Sequence, residues 1–181
     1  MIKITYFVHG TTTHNEMGIA AGWSPGELSN LGIKQSIELG NIVSNKNFEV
    51  VFSSDLKRAV DTVNLAFGSK FQIIQDKRLR EVDLGDFTNK LISEFRSNLI
   101  EYVKKPFPNG ESYTDVVTRI SKFLSSLKSK YSGKHIAIVA HHAPQLALDV
   151  ILNSKTWRQA TAEDWRLTKS WKPGWEYYIR E

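Results

Sequence analysis

Three observations in the sequence predict an α/β fold built as three layers, a mostly parallel sheet with helices on both faces. Short β-branched or apolar runs alternate with stretches of helical periodicity. The run from His135 to Ala140 is apolar at nearly every position, as a strand covered on both faces must be. Three of the runs also stop at chemically active residues: His9 after the first, Ser54 to Arg58 after the second, and His141 after the fourth. In a parallel sheet such junctions share the carboxyl edge of the strands, where ligands of open α/β sheets bind.

Each element has its own warrant. Ile2 to Val8 is a β-branched and aromatic strand that stops at His9, Gly10 and the hydroxyls Thr11, Thr12 and Thr13. Backbone amides and the next helix's N-terminus make such a junction a candidate anion site, although an isolated histidine there would more simply be structural. Leu31, Ile37, Leu39, Ile42 and Val43 predict a helix at about 30 to 45, with Ser29 or Asn30 as its cap. Glu49 to Phe52 reads as a strand, Ser53-Ser54-Asp55 as an N-cap cluster, and Leu56 to Val63 as the helix that follows. Phe71 to Gln75 is a third short strand, and Leu79 to Phe87 a loop carrying Glu81, Asp83 and Asp86. Helices are expected at about 90 to 103, ending before Pro106, and at about 111 to 131, ending at Gly133. After the fourth strand Ala143-Pro144 begins a helix to about Asn153, with proline in the first turn, where no amide hydrogen is needed. Trp175 to Ile179 reads as a last strand at the sheet edge.

The 181 residues are most simply one domain, 1–181, long enough to bury roughly 70% of the surface of the unfolded chain. With 41% hydrophobic and 24% charged residues the usage is that of a water-soluble protein, and no apolar run reaches membrane-spanning length. Cysteine is absent, which excludes disulfides, thiolate metal sites and a cysteine nucleophile. The first residues lack the pattern of a secretory signal, so a cytoplasmic location is expected. The net charge of +5 lies entirely in the second half, where fourteen Lys and Arg face nine Asp and Glu. Such a balance suits anionic partners, phosphorylated metabolites and nucleic acid alike, and also an ordinary solvated surface.

Two strand-end histidines, an arginine on the opening turn of a helix and a carboxylate, Glu81, on a nearby loop converge on one pocket in this topology. The motifs His9-Gly10 with Thr12 and Asn15, Ser53 to Ala59, Leu79-Arg80-Glu81 with Gly85, Pro108 to Ser112, and Val139-Ala140-His141 together resemble the histidine phosphatase superfamily, the phosphoglycerate mutase-like fold. The resemblance runs over residues 1 to 152, with five motifs in the family's order. It implies that His9 attacks a phosphoryl group and carries it as phosphohistidine, that Glu81 is the general acid and base, and that Arg58 and His141 bind phosphoryl oxygens, with Thr12 and Asn15 among the substrate-binding residues. Asp83 is the second choice for the acid. The chemistry is consistent with those residue types: a neutral imidazole is a nucleophile near pH 7, an arginine fork with a protonated second histidine meets the charge of the transferring oxygens, and neither a metal nor another cofactor is required.

Two positions depart from the family's usual pattern. Val8 stands where an arginine is usual before the first histidine, and His142 where a glycine is usual after the second. Losing one charged hydrogen bond of the arginine type costs roughly 1.5–3 kcal/mol. The expectation is that His142, or secondarily His14, makes up part of the missing positive charge and joins the substrate-binding set. The short chain and the stretch Glu81 to Asn89 are more similar to the family's phosphatases than to its mutases, though Phe87-Thr88-Asn89 stands where Trp-Glu-Gly is frequent.

The region 154–181 is the least family-like, with Trp157, Trp165, Trp171 and Trp175 interleaved with Lys155, Arg158, Arg166, Lys169 and Lys172. Packing, or a lid over the site formed by residues 154 to 172, is favoured over stacking on nucleic acid, and Trp23 is placed on the same rim. The leading expectation is therefore a phosphatase of small phosphomonoesters, a monomer or a homodimer. The alternatives are a weakened phosphometabolite binder of the same fold, a mutase-type phosphotransferase, and a nucleic-acid module resting only on the basic, tryptophan-rich tail.

Overall fold

The computed structural model describes residues 1–168 and 174–180, so Lys169, Trp171 and Lys172 lie outside the described residues. Five strands, β1 (Ile2–Val8), β2 (Val51–Ser53), β3 (Ile73–Gln75), β4 (His135–Ala140) and β5 (Trp175–Ile179), form one sheet in the order β3-β2-β4-β1-β5. All neighbours are parallel except β5, which runs antiparallel to β1 at the edge that the sequence assigned to it. Val8 lies opposite Ala140 and Ser53 opposite Val139, so His9, Ser54 and His141 leave the sheet side by side.

The helices are α1 (Thr13–Glu16), α2 (Asn30–Val43), α3 (Lys57–Phe67), α4 (Tyr113–Tyr131), α5 (His142–Leu152), α6 (Trp157–Ala162) and α7 (Trp165–Thr168). Alternation along β1 sorts its side chains between two cores. Phe7, with Val51, Ala137 and Val139, meets Leu39 and Val43 of α2 and Val63 and Phe67 of α3 on one face. On the other, Ile2, Ile4, Tyr6, Ile136 and Ile138 pack with Ile120 and Phe123 of α4 and Leu146 of α5. This is the three-layer arrangement, and β4 sits at its centre with every residue after His135 buried. Each apolar side chain so buried contributes about 1.5–3 kcal/mol, which is why the central strand rather than any helix fixes the site. No helix among the described residues is long and apolar enough to cross a membrane.

Several expectations are corrected. The segment expected as a helix at 90 to 103 is two 3-10 stretches, Ile92–Glu94 and Arg96–Val103. Ser93, Ser97 and Asn98 are weak helix formers, and Phe95 is drawn instead into an aromatic cluster with Phe87 and Phe107 at 5.2 and 5.9 Å. The Ser53-Ser54-Asp55 cluster does not cap α3 in the usual way: the N-cap is Leu56 without a side-chain bond, Ser54 Oγ accepts from the Leu56 amide, and Asp55 is taken by Arg80. By contrast Ser29 caps α2, and Ser112 with Asp115 forms a reciprocal capping box on α4.

One close approach explains the glycine after His9. A Cβ on Gly10 would stand 2.5 Å from the Gly32 carbonyl oxygen, and one on Gly32 would stand 1.9 Å from that of Thr11. The turn after β1 is thus pressed against the first turn of α2, and the Gly10 amide donates to Thr62 Oγ1 of α3 at 3.0 Å. That clamp sets the direction in which His9 leaves the strand.

Candidate active site

His9 is half-buried, and its ring is fixed at both nitrogens. Nδ1 lies 2.7 Å from the Gly10 carbonyl oxygen, which can only accept, so Nδ1 carries the hydrogen. Nε2 therefore holds the lone pair, and it accepts a 3.2 Å bond from Arg58 Nε. Burial, with Arg58 acting in the same direction, lowers the His9 pKa to about 4. At neutral pH His9 is an uncharged imidazole whose Nε2 faces a cavity.

Arg58, in the first turn of α3, is almost fully buried. Its other two nitrogens donate to backbone carbonyls of the loop after α1, to Ser24 at 2.9 Å and to Gly22 at 2.8 Å. The guanidinium is held from two sides and cannot swing away from His9. The His141 ring centroid lies 5.0 Å from that of His9. His141 is wholly buried at the end of β4, yet neither of its ring nitrogens has a hydrogen-bond partner among the described residues. Two orphaned polar atoms at such a place require a partner from outside the chain. Burial, Arg58 and His9 together hold the His141 pKa well below its usual range. The protonated second histidine expected from sequence is thus corrected: the protein holds His141 neutral, so it meets an anion as a hydrogen-bond donor through one ring nitrogen.

Glu81 reaches the same place from the loop after β3. Its carboxylate accepts from the Val82 amide at 2.9 Å and, at the N-terminus of α5, from the His142 and Ala143 amides at 3.2 and 2.9 Å. Burial works to raise its pKa, but His142, the amides and Arg58 outweigh it and hold the group below its ordinary value. Glu81 is consequently ionised at rest. Asp83, the second choice for this role, instead accepts from the Gly85 amide at 3.0 Å and does not line the cavity.

Residues that the sequence reading missed hold these groups in position. The Tyr6 hydroxyl donates to the His141 carbonyl at 2.5 Å and accepts from the His141 amide at 2.9 Å, pinning the second histidine's backbone from the neighbouring strand. Arg119 of α4 donates to the carbonyls of Arg80 and Glu81 at 2.7 and 3.0 Å, and Glu111 holds Arg119 at 3.0 Å. The only sequence signals were a tyrosine on an inward-facing strand position and an arginine on a helix.

The remaining sequence candidates divide. Asn15 lines the cavity, while the Thr12 hydroxyl accepts from the Asn15 amide as the N-cap of α1. Val8 is half-buried against the core and does not line the cavity. His142 lines the cavity, but its Nε2 points to Asp164 Oδ2 at 3.1 Å, and burial and Arg166 lower its pKa against the pull of Asp164. His142 is neutral at pH 7, so it does not supply the charge that an arginine at position 8 would bring. The second cation lining the cavity is Arg166 of α7, from the tail, whose Nε and NH2 both bind Asp164. His14 is not among the lining residues. Trp23 buttresses the site from outside: its indole donates to the Glu81 carbonyl at 2.7 Å, and Arg80 lies over its ring at 4.9 Å.

The cavity and the open solvent at its mouth together span about 630 Å³. Its polar side chains are those of His9, Asn15, Arg58, Glu81, Tyr113, His142 and Arg166; Ile19, Val82, Leu84, Ile92, Phe95 and Leu99, with Ala20, Ala21 and Gly22, line the rest. His141 is not itself among the lining residues, its ring lying 5.0 Å from that of His9. A nucleophilic nitrogen, a fixed guanidinium and a carboxylate in the lining, with an unsatisfied imidazole beside the nucleophile, can hold and attack a tetrahedral anion.

Comparison with known proteins agrees with this chemistry. The family model described as histidine phosphatase superfamily (branch 1) matches residues 6–169. Phosphoserine phosphatase 1 of Hydrogenobacter thermophilus is 28% identical over 157 residues, 82% of this chain and 74% of that protein. A 2,3-bisphosphoglycerate-dependent phosphoglycerate mutase of Rhizobium etli is 31% identical over 149 residues, 74% of this chain and 71% of that protein. Among solved structures, a mycobacterial glucosyl-3-phosphoglycerate phosphatase in complex with VO3 superposes with a TM-score of 0.79 at 26% identity, covering 88% of this chain and 86% of that one.

Proposed function

Since this chain belongs to the histidine phosphatase superfamily, we propose that it is a phosphatase that hydrolyses small phosphomonoesters through a phosphohistidine on His9. The observation that carries the reading is the fixed tautomer: Gly10 holds the hydrogen on Nδ1 and leaves the Nε2 lone pair beside Arg58, in the lining of the pocket. The long 3.2 Å bond from Arg58 is readily exchanged for a stronger one to a phosphoryl oxygen.

In the first half-reaction the Nε2 pair forms the N–P bond while the ester O–P bond breaks. The leaving alkoxide takes a proton from Glu81. Because Glu81 rests ionised, that proton arrives with the substrate as the monoanion of a phosphomonoester, whose second pKa is about 6. In the second half-reaction water attacks phosphorus and gives its proton to the Glu81 carboxylate, and the N–P electrons return to Nε2 as inorganic phosphate leaves. Arg58 and His141 meet the equatorial oxygens throughout, the imidazole hydrogen bonds being among the few the protein leaves unmade there. Proton transfer of this kind is worth about 10²- to 10⁴-fold in rate. That a family neighbour binds VO3, a group of the same shape as the transferring phosphoryl, supports the reading.

The test is phosphate release from a panel of phosphomonoesters by the wild type and by His9→Ala. Release by the wild type that disappears in the variant is expected. Release that survives the substitution would refute the mechanism.

A further inference from the structure

The cavity that receives the phosphoryl group continues into a wall of aliphatic and aromatic side chains, with the Tyr113 hydroxyl the polar side-chain group beyond the charged residues, His9, His142 and Asn15. Two segments build that wall as a short antiparallel pairing: the Ala20 amide donates to the Lys90 carbonyl at 2.9 Å, the Ile92 amide to Gly18 at 2.9 Å, and the Asn89 amide to Ala20 at 2.8 Å. Ile19 and Ile92 face the cavity from this ribbon, joined by Leu84, Phe95 and Leu99. Phe95 is anchored by its aromatic neighbours, so the wall is preformed. The apolar character continues outward along the same segments, where Met17 and Leu91 are 58% and 49% exposed.

The second cation in the lining is already paired. Arg166 Nε and Nη2 bind Asp164 Oδ2 at 3.0 and 2.9 Å, and His142 Nε2 stands 3.1 Å from the same oxygen. Among the described residues, no unpaired positive charge lining the cavity beyond Arg58 therefore waits for a second anionic group. A leaving group that carries a carboxylate or several hydroxyls would lose its water against Ile19, Leu84 and Leu99 and regain few bonds. An apolar one would gain from the same surface.

We propose that this site selects phosphomonoesters of apolar alcohols or phenols, an alkyl or aryl leaving group, over esters whose leaving group carries a carboxylate or several hydroxyls. The inference rests on the phosphatase reading for its catalytic half and on the cavity wall alone for its binding half, so the two are tested separately. Calorimetry would compare 3-phenylpropylphosphonate with 2-carboxyethylphosphonate, neither of which can be hydrolysed, and steady-state kinetics would compare 2-phenylethyl phosphate with O-phosphoserine, both esters of alcohols.

The apolar phosphonate is expected to bind at least about tenfold tighter, within the range that pocket hydrophobicity supplies, and the apolar ester to show a kcat/KM higher by a similar factor. Leu99→Gln and Ile19→Asn should each shrink that ratio several-fold. Equal or reversed preference in calorimetry overturns the inference whatever the kinetics. Tighter apolar binding without hydrolysis of any ester would uphold the selective wall and sink the phosphatase reading, whereas efficient turnover that favours O-phosphoserine would do the opposite.

Discussion

The two ends of the cavity are built by different means. At the phosphoryl end, His9 and His141 leave adjacent central strands, Arg58 opens a helix, and each is fixed by a bond to or from the backbone: His9 to the Gly10 carbonyl, the His141 backbone to the Tyr6 hydroxyl, and Arg58 to the Ser24 and Gly22 carbonyls. At the far end, loops, 3-10 turns and the short helix α7 supply Ile19, Ile92, Leu99 and Arg166. Where a group hangs from the core, its geometry is as rigid as the sheet. Where it hangs from a loop, sequence can change without disturbing the sheet. The difference teaches that chemistry and substrate choice sit on separable parts of this molecule, and mutations should separate them.

The largest effect should come from Glu81→Gln, which leaves the α5 amides a partner but cannot carry a proton. A fall in kcat of about 10²- to 10⁴-fold is expected. A loss below tenfold in single-turnover kinetics would move the acid and base role elsewhere. Next comes Tyr6→Phe, which removes both bonds to the His141 backbone inside a core that admits no replacement. Stability should fall by about 1–3 kcal/mol in urea unfolding, and kcat by roughly tenfold with little change in KM.

Protonation probes the same rigid end. His9, His141 and His142 all have lowered pKa values in the folded protein. Between their folded values and the ordinary 6.5 the unfolded chain binds more protons, so stability rises with pH through that window and is lost as pH falls from 6.5 toward the His9 value of about 4. Each histidine contributes at most about 1.4 kcal/mol per pH unit. The melting temperature should therefore drop between pH 7 and pH 5, and less steeply in His141→Gln; an unchanged slope would mean that His141 is not neutral in the fold.

The smallest effect should be that of His142→Gly on catalysis. Its side chain is neutral at pH 7 and faces Asp164, which keeps Arg166, so kcat/KM should change by about threefold or less. A tenfold loss at pH 7 would restore His142 as a working cation and blur the division between the two ends.

What was legible in the sequence follows the same division. His9, Arg58 and His141 were placed because each stands at the end of a strand or the start of a helix, and periodicity finds such junctions. Glu81 stands out only as one of three acidic residues on a loop near those junctions, and its role as acid and base comes from the family resemblance, since an acidic loop has no periodicity to mark it. Tyr6 and Arg119 were illegible because each works on a backbone far away in the chain, the Tyr6 hydroxyl on His141 and the Arg119 guanidinium on the 78–81 loop. Val8 and His142 were read as a lost charge and its replacement, but His142 is buried beside Asp164, and only packing could reveal that. The helix expected at 90 to 103 failed where aromatic packing outweighed a spacing that was helical only in part.

The most direct measurement is the mass of the intact protein after rapid mixing with 4-nitrophenyl phosphate, whose leaving group departs without a proton from Glu81, and an alkaline quench, which preserves phosphohistidine. Glu81→Gln should accumulate one phosphoryl group that peptide mapping places on His9, that acid removes, and that His9→Ala does not acquire. An acid-stable adduct, or one at any residue other than His9, would contradict the account.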